Sequence, residues 1–109
     1  MNESTLQPIL KFREERDWKQ FHTPKNLAMS IAIEASELME VFQWSDGVAA
    51  DRVSAEDRQR AREEVADVGI YLLLLAHDLD IDLDRAIADK VARNAQKYPA
   101  DQYRGRYRA

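Results

Sequence analysis

Residues 54–79 read SAEDRQRAREEVADVGIYLLLLAHDL, and this stretch decides the fold. Ser54 with Asp57 three residues on resembles a capping box in which aspartate replaces the usual glutamate or glutamine. A helix is predicted from there to about Leu79. Between Val65 and Ala76 it carries apolar or small residues on nearly every side, with Asp67 the one charge. A helix apolar all round needs neighbours all round. Three small partner helices from one chain of 109 residues would cover it poorly. A homo-oligomer, dimer or tetramer, is therefore expected, as large apolar surfaces on small chains commonly resolve that way. The alternative is a monomer with one well-covered central helix.

Working outward from this helix, the preceding one starts at Thr23-Pro24, a hydroxyl N-cap followed by proline where its missing N–H costs nothing. Leu27, Ile31, Leu38 and Phe42 keep helical spacing, with Ala28, Ala35 and Met39 alongside. Ser45-Asp46-Gly47 breaks the pattern, and a polar loop follows to about Val53. A first helix is expected from Ser4 to Trp18, with Leu6, Ile9, Leu10 and Phe12 as its apolar positions. On the far side, Asp82 caps a fourth helix that ends before Tyr98-Pro99. Arg104, Arg106 and Arg108 then mark a polar tail with no core of its own. The reading is all-α, a four-helix bundle subunit, with one domain over residues 1–99 and an arginine-rich tail over 100–109.

Composition narrows the function. With no cysteine, disulfide scaffolds, thiol catalysis and cysteine-ligated zinc are excluded. A formal charge of −4 and a sequence pI near 5.2 argue against nucleic acid as a partner. Met1-Asn2-Glu3-Ser4-Thr5 lacks the basic flank and apolar stretch of a signal peptide. The longest apolar run, Val68–Ala76, is about half a membrane span. The expectation is a water-soluble cytoplasmic protein without a membrane partner.

The informative residues are acids that interrupt apolar stripes. Glu34 lies three residues after Ile31 and four before Leu38, and Glu37 follows on nearly the same face. Glu64 lies between Ala61 and Val68, with Asp67 three residues later. If the two helices pack antiparallel, Glu34-x-x-Glu37 and Glu64-x-x-Asp67 converge. Two unit charges ~4 Å apart in an effective dielectric near 20 repel by about 4 kcal/mol. No lysine or arginine shares these stripes, so four ionised acids need protons or a cation. All-oxygen ligation suits a hard cation, so magnesium is expected, with manganese as a substitute. The competing reading turns the acids into solvent, where they pair with Arg60 or Arg62.

Other chemistries fit less well. Ferritin-like di-iron bundles use Glu-x-x-His, but residues 19 and 74, three before His22 and His77, are lysine and leucine. There is no glycine-rich phosphate loop and no serine–histidine–acid order. Trp18, Phe21 and His22 cluster before the second helix, and Trp44 follows its end. His22 could reach a ligand, whereas His77 reads as a surface or cap residue. Tryptophans are more often core than ligand contacts. Tyr71, four residues past Asp67, is on the acid-bearing face. Lys90 and Asn94 lie one turn apart on the fourth helix, ordinary solvated residues unless they face a metal cluster, where they would suit phosphate oxygens.

Glu34-Ala-Ser-Glu37 with Glu64-Val-Ala-Asp67 resembles the paired acid motif of the all-α nucleoside triphosphate pyrophosphohydrolases, the MazG-like superfamily. Arg16-Asp17-Trp18-Lys19-Gln20-Phe21-His22, Pro24-Lys25-Asn26-Leu27, Phe42-Gln43-Trp44, Asp67-Val68-Gly69-Ile70-Tyr71-Leu72 and Lys97-Tyr98-Pro99 look like its dCTP pyrophosphatase branch. The likeness runs roughly from Arg13 to Pro99. It implies helical subunits that dimerise, often into tetramers, and magnesium-dependent cleavage of a nucleoside triphosphate to monophosphate and pyrophosphate. By this resemblance Glu34, Glu37, Glu64 and Asp67 hold the metal. Trp18, His22, Trp44 and Tyr71 line the nucleotide pocket, and Lys90 and Asn94 reach the phosphates. Glu34, with the most apolar neighbours, is the first choice for the base that takes a proton from water, since burial raises a carboxylate's pKa. The expected substrate is dCTP or a modified relative. The rival readings are dUTP or a damaged purine triphosphate, and a non-catalytic helical adaptor whose acids bind a stabilising cation.

Overall fold

The structure is a computed structural model describing residues 3–106, and its regular elements are all helical. They are α1 (Glu3–Glu15), α2 (Pro24–Phe42), α3 (Ala55–Asp78), α4 (Leu83–Lys97) and α5 (Ala100–Tyr103), with 3-10 turns at Lys19–Phe21 and Ala50–Arg52. Three side-chain caps fix the starts of the long helices. Thr23 Oγ1 accepts from the Asn26 N–H, Ser54 Oγ from the Asp57 N–H and Asp82 Oδ1 from the Arg85 N–H, each at 3.1 Å. The Asp57 carboxylate itself holds Arg60 at 3.3 Å.

The end of the first helix and the number of helices differ from those expected. The first helix stops at Glu15 rather than Trp18, because Asp17 turns left-handed at φ 52°. Its N–H bonds the Glu14 carbonyl at 3.0 Å while the Trp18 N–H bonds that of Arg13 at 3.1 Å, the paired bonds of a Schellman ending. The same device closes α3, with Asp80 at φ 59° and the Ile81 N–H on the Ala76 carbonyl at 2.8 Å. The helix count is five rather than four among the described residues. After Pro99 the chain winds once more, its carbonyl accepting from Gln102 and Tyr103 at 3.0 and 3.1 Å, and Tyr103 meets Tyr98 edge-on. Arg108 lies outside the described residues.

α2 and α3 form the principal packing pair, joined by the polar loop and running antiparallel. Leu27 of α2 is fully buried, and Leu73, Leu74 and Ala76 of α3 are buried with Val41. α1 lies against α3, and its only buried residue is Arg13, which grips Asp78 through both guanidinium nitrogens at 2.7 and 2.8 Å. α4 makes only slight contact with the other helices and has no buried residue. Its Ile87 and Val91 are 53% and 62% exposed. One chain therefore folds as a helical hairpin braced by α1, with α4 standing away, rather than as a closed four-helix bundle. The radius of gyration is 17.1 Å, against about 13 Å for a compact chain of this length. No helix among the described residues is long and apolar enough to cross a membrane.

Candidate metal and nucleotide site

The antiparallel pairing of α2 and α3 brings the two acid pairs to the same level of the hairpin. One carboxylate oxygen each from Glu34, Glu37 and Glu64 lies within 4.8 Å of the other two. Asp67, one turn along α3 from Glu64, falls outside this tight group, although its charge still acts on Glu34. Oε2 of Glu34 and Oε2 of Glu64 are buried with no hydrogen-bond partner. Of the two arginines in the competing reading, Arg60 pairs with Asp57 rather than with the cluster.

Electrostatics at this point favour retained protons. Burial, followed by a hydrogen bond and like charge from Glu37, pushes Glu34 up to about 7 from its ordinary 4.5, with Asp67 and Glu64 adding to the effect. Burial and the charge of Glu37 also raise Glu64. An orphaned buried carboxylate oxygen is costly unless something binds it. Two of them in an all-oxygen set fit a hard divalent cation better than they fit a protein hydrogen bond.

Next to the acids, α1, α3 and the turn before α2 enclose a cavity of about 200 Å³. Trp18, His22, Asp67 and Tyr71 all line it, so four of the residues singled out in the sequence meet there. The His22 ring stands edge-on to Tyr71 at 6.3 Å. Its Nδ1 is buried without a partner, and burial with the nearby Arg13 charge lowers its pKa, Asp78 opposing. Trp18 is held by Phe12, edge-on at 5.7 Å, and remains 43% exposed. The structure does not bring every sequence-selected residue here. Trp44 sits beyond the end of α2, 88% exposed, and does not line the cavity. Lys90 and Asn94 are exposed on α4 and do not line it either.

The sequence reading missed Arg13, which lines the same cavity with Ile9 and Phe12. The available signal was of the same kind as for the acids. Leu6, Ile9 and Arg13 share a helical stripe, so a charge sits where core is due.

A model of the MazG-like family matches residues 29–108, a span that contains all four acids. The chain belongs to the MazG-like family. It is 40% identical over 109 residues to dCTP pyrophosphatase 1 of Rattus norvegicus, covering 94% of this chain and 64% of that protein. To dCTP pyrophosphatase 1 of Homo sapiens it is 41% identical over 104 residues, covering 90% and 61%. The chain thus spans just under two thirds of the length of the curated relatives it matches. Among solved structures, a pyrophosphatase from Archaeoglobus fulgidus superposes with a TM-score of 0.80 at 42% identity, covering 89% of this chain and 91% of that one.

Proposed function

We propose that this MazG-like chain is a nucleoside triphosphate pyrophosphohydrolase, releasing monophosphate and pyrophosphate, with dCTP or a modified dCTP as preferred substrate. The observation that carries this reading is the Glu34–Glu37–Glu64 cluster, two of its oxygens buried and unpartnered, beside an aromatic cavity. The names of the relatives, dCTP pyrophosphatase 1 above all, support the choice of reaction and base.

Glu34, Glu37, Glu64 and Asp67 would hold magnesium, or manganese in its place. A divalent cation there supplies charge neutralisation of the phosphates and a bound water of lowered pKa. Glu34 is the carboxylate assigned to accept the proton of the attacking water, because burial and the neighbouring acids push its carboxyl up to about 7, into the range a general base needs. Trp18 and Tyr71 give the base an aromatic wall, and the unpaired Nδ1 of His22 is available to its polar edge. Trp44, Lys90 and Asn94 join the substrate only in an assembly of copies, since one chain leaves them apart from the cavity. The uncovered faces of α3 and α4 support a homodimer or homotetramer, working on the free nucleotide pool of the cytoplasm.

The test is a screen of natural and modified triphosphates with products identified, run with and without magnesium. Pyrophosphate and dCMP from dCTP, dependent on the cation, are expected. Equal or greater turnover of dUTP or an oxidised purine triphosphate would move the preference, and no turnover of any would leave a helical adaptor.

A further inference from the structure

The ion pair between Arg13 and Asp78 crosses 65 residues of sequence and is nearly sealed, its side chains 6% and 12% exposed. It is also a two-pronged contact, the geometry in which a guanidinium fixes direction as well as distance. Arg13 is the only buried residue of α1, so this fork ties the C-terminal end of that helix to α3. The backbone of the same residue does a second job. Its carbonyl receives the Trp18 N–H at 3.1 Å, across the left-handed turn at Asp17. The Trp18 carbonyl in turn accepts from Phe21 at 2.9 Å, and the Phe21 carbonyl accepts from the Asn26 side chain in the first turn of α2 at 3.0 Å. An unbroken chain of bonds thus leads from Asp78 on α3 through Arg13 to Trp18 and on to α2.

We propose that Arg13 and Asp78 are positioning residues of the nucleotide pocket: their fork sets where α1 ends on α3 and thereby holds the Trp18 ring against the cavity that receives the base. This rests on the reading of that cavity as the base site. Neither residue belongs to the acid cluster; the Trp18 ring packs edge-on against Phe12 of α1 and shares the cavity with Ile70, Tyr71 and Leu74 of α3, so where α1 ends on α3 sets how the ring faces that wall. Loosening the fork is therefore expected to weaken binding of the base and to spare the hydrolytic step.

Asp78→Asn keeps the size of the side chain and removes the charge; Arg13→Lys keeps the charge and removes the fork. Each is made in the full chain, and again in a Trp44→Phe background so that Trp18 is the sole tryptophan. Acrylamide quenching of Trp18 emission in the free protein reports ring position without reference to activity. Steady-state kinetics with dCTP and magnesium report the rest. The expected result is stronger quenching in both variants and, for Asp78→Asn, whose position does not line the cavity, a KM for dCTP raised about tenfold with a kcat within about twofold of the parent. Unchanged quenching and KM in a folded variant would overturn the proposal, as would a fall in kcat at constant KM. If Asp78→Asn fails to fold by far-UV circular dichroism, Arg13→Lys decides on Trp18 quenching: unchanged quenching in the folded variant overturns the proposal. Should the parent hydrolyse no triphosphate, the function falls, while quenching still decides whether the fork places Trp18.

Discussion

At Glu34 the native fold holds a carboxyl group that retains its proton to about pH 7, far above the ordinary 4.5. The folded state therefore binds more protons than the unfolded chain between those two values. Stability of the metal-free protein accordingly falls as pH rises through that window, and the loss is complete above it. Asp78, depressed by its bonds to Arg13, works in the other direction, and its contribution is lost as pH falls below the ordinary 3.8. His22, also depressed, gives stability that is lost as pH falls through about 6.5, where the unfolded chain takes up a proton. Glu34→Gln is thus predicted to raise the melting temperature of metal-free protein at about pH 8 and to change it little near pH 5, read by thermal denaturation. An unchanged profile would separate Glu34 from the cluster's charge. In the cavity, stacking on an aromatic face contributes roughly 1–3 kcal/mol per base and discriminates little. Trp18→Ala should therefore raise KM for every accepted triphosphate by about tenfold or more with their ranking kept, whereas replacing His22 should compress the ranking. Trp44→Ala is expected to follow Trp18→Ala in the assembled protein; unchanged Michaelis constants would return that exposed ring to an interface.

Among the elements, the starts of α2, α3 and α4 were legible because Thr23, Ser54 and Asp82 each carry an oxygen three residues before an otherwise unsatisfied N–H. The end of α1 was not. Its signal is an aspartate at φ 52°, a conformation usually given to glycine, and Asp17 looks like any other polar residue of a continuing helix. The convergence of Glu34, Glu37 and Glu64 follows from stripe position once the two helices pack antiparallel, but the separation of Asp67 does not. Three residues fall about 60° short of a full helical circuit, so the second acid of a pair need not face where the first does. Asp80 offers a direct test of how α3 ends. Asp80→Ala should cost about 1 kcal/mol, since alanine lacks the local hydrogen bonding that makes a left-handed aspartate tolerable, while Asp80→Gly should hold or increase stability. Chemical denaturation of both variants reads the difference, and equal losses would argue against the left-handed closure.

On the scale of the whole molecule, the buried apolar set is Leu27, Val41, Leu73, Leu74 and Ala76, small for a domain of this length. Met29, Ile33 and Val65 on α2 and α3 are each more than half exposed, as are Ile87 and Val91 on α4. Within residues 65–76, whose all-round apolar character predicts an uncovered surface, Leu73, Leu74 and Ala76 are buried and Val65 is the large apolar residue more than half exposed. The four-helix subunit is what four helices with short links suggest, and helical periodicity says which face of α4 is apolar, not which neighbour takes it. We propose that a second copy covers these faces. Sedimentation at low micromolar concentration should show a dimer or larger, and a compact, fully active monomer would refute that assignment.

On the function proposed, the carboxylates joined by the α2–α3 hairpin hold the cation used for triphosphate cleavage. The most direct test of this assignment is pyrophosphate release from dCTP by Glu37→Gln beside the parent protein, at saturating magnesium, with circular dichroism confirming equal helix content. Loss of hydrolysis by at least about a hundredfold, together with loss of magnesium-dependent thermal stabilisation, is the result predicted. A folded Glu37→Gln protein that retains hydrolysis within about threefold of the parent would contradict it, because removing a charged ligand from a metal centre cannot leave the transition state so nearly untouched.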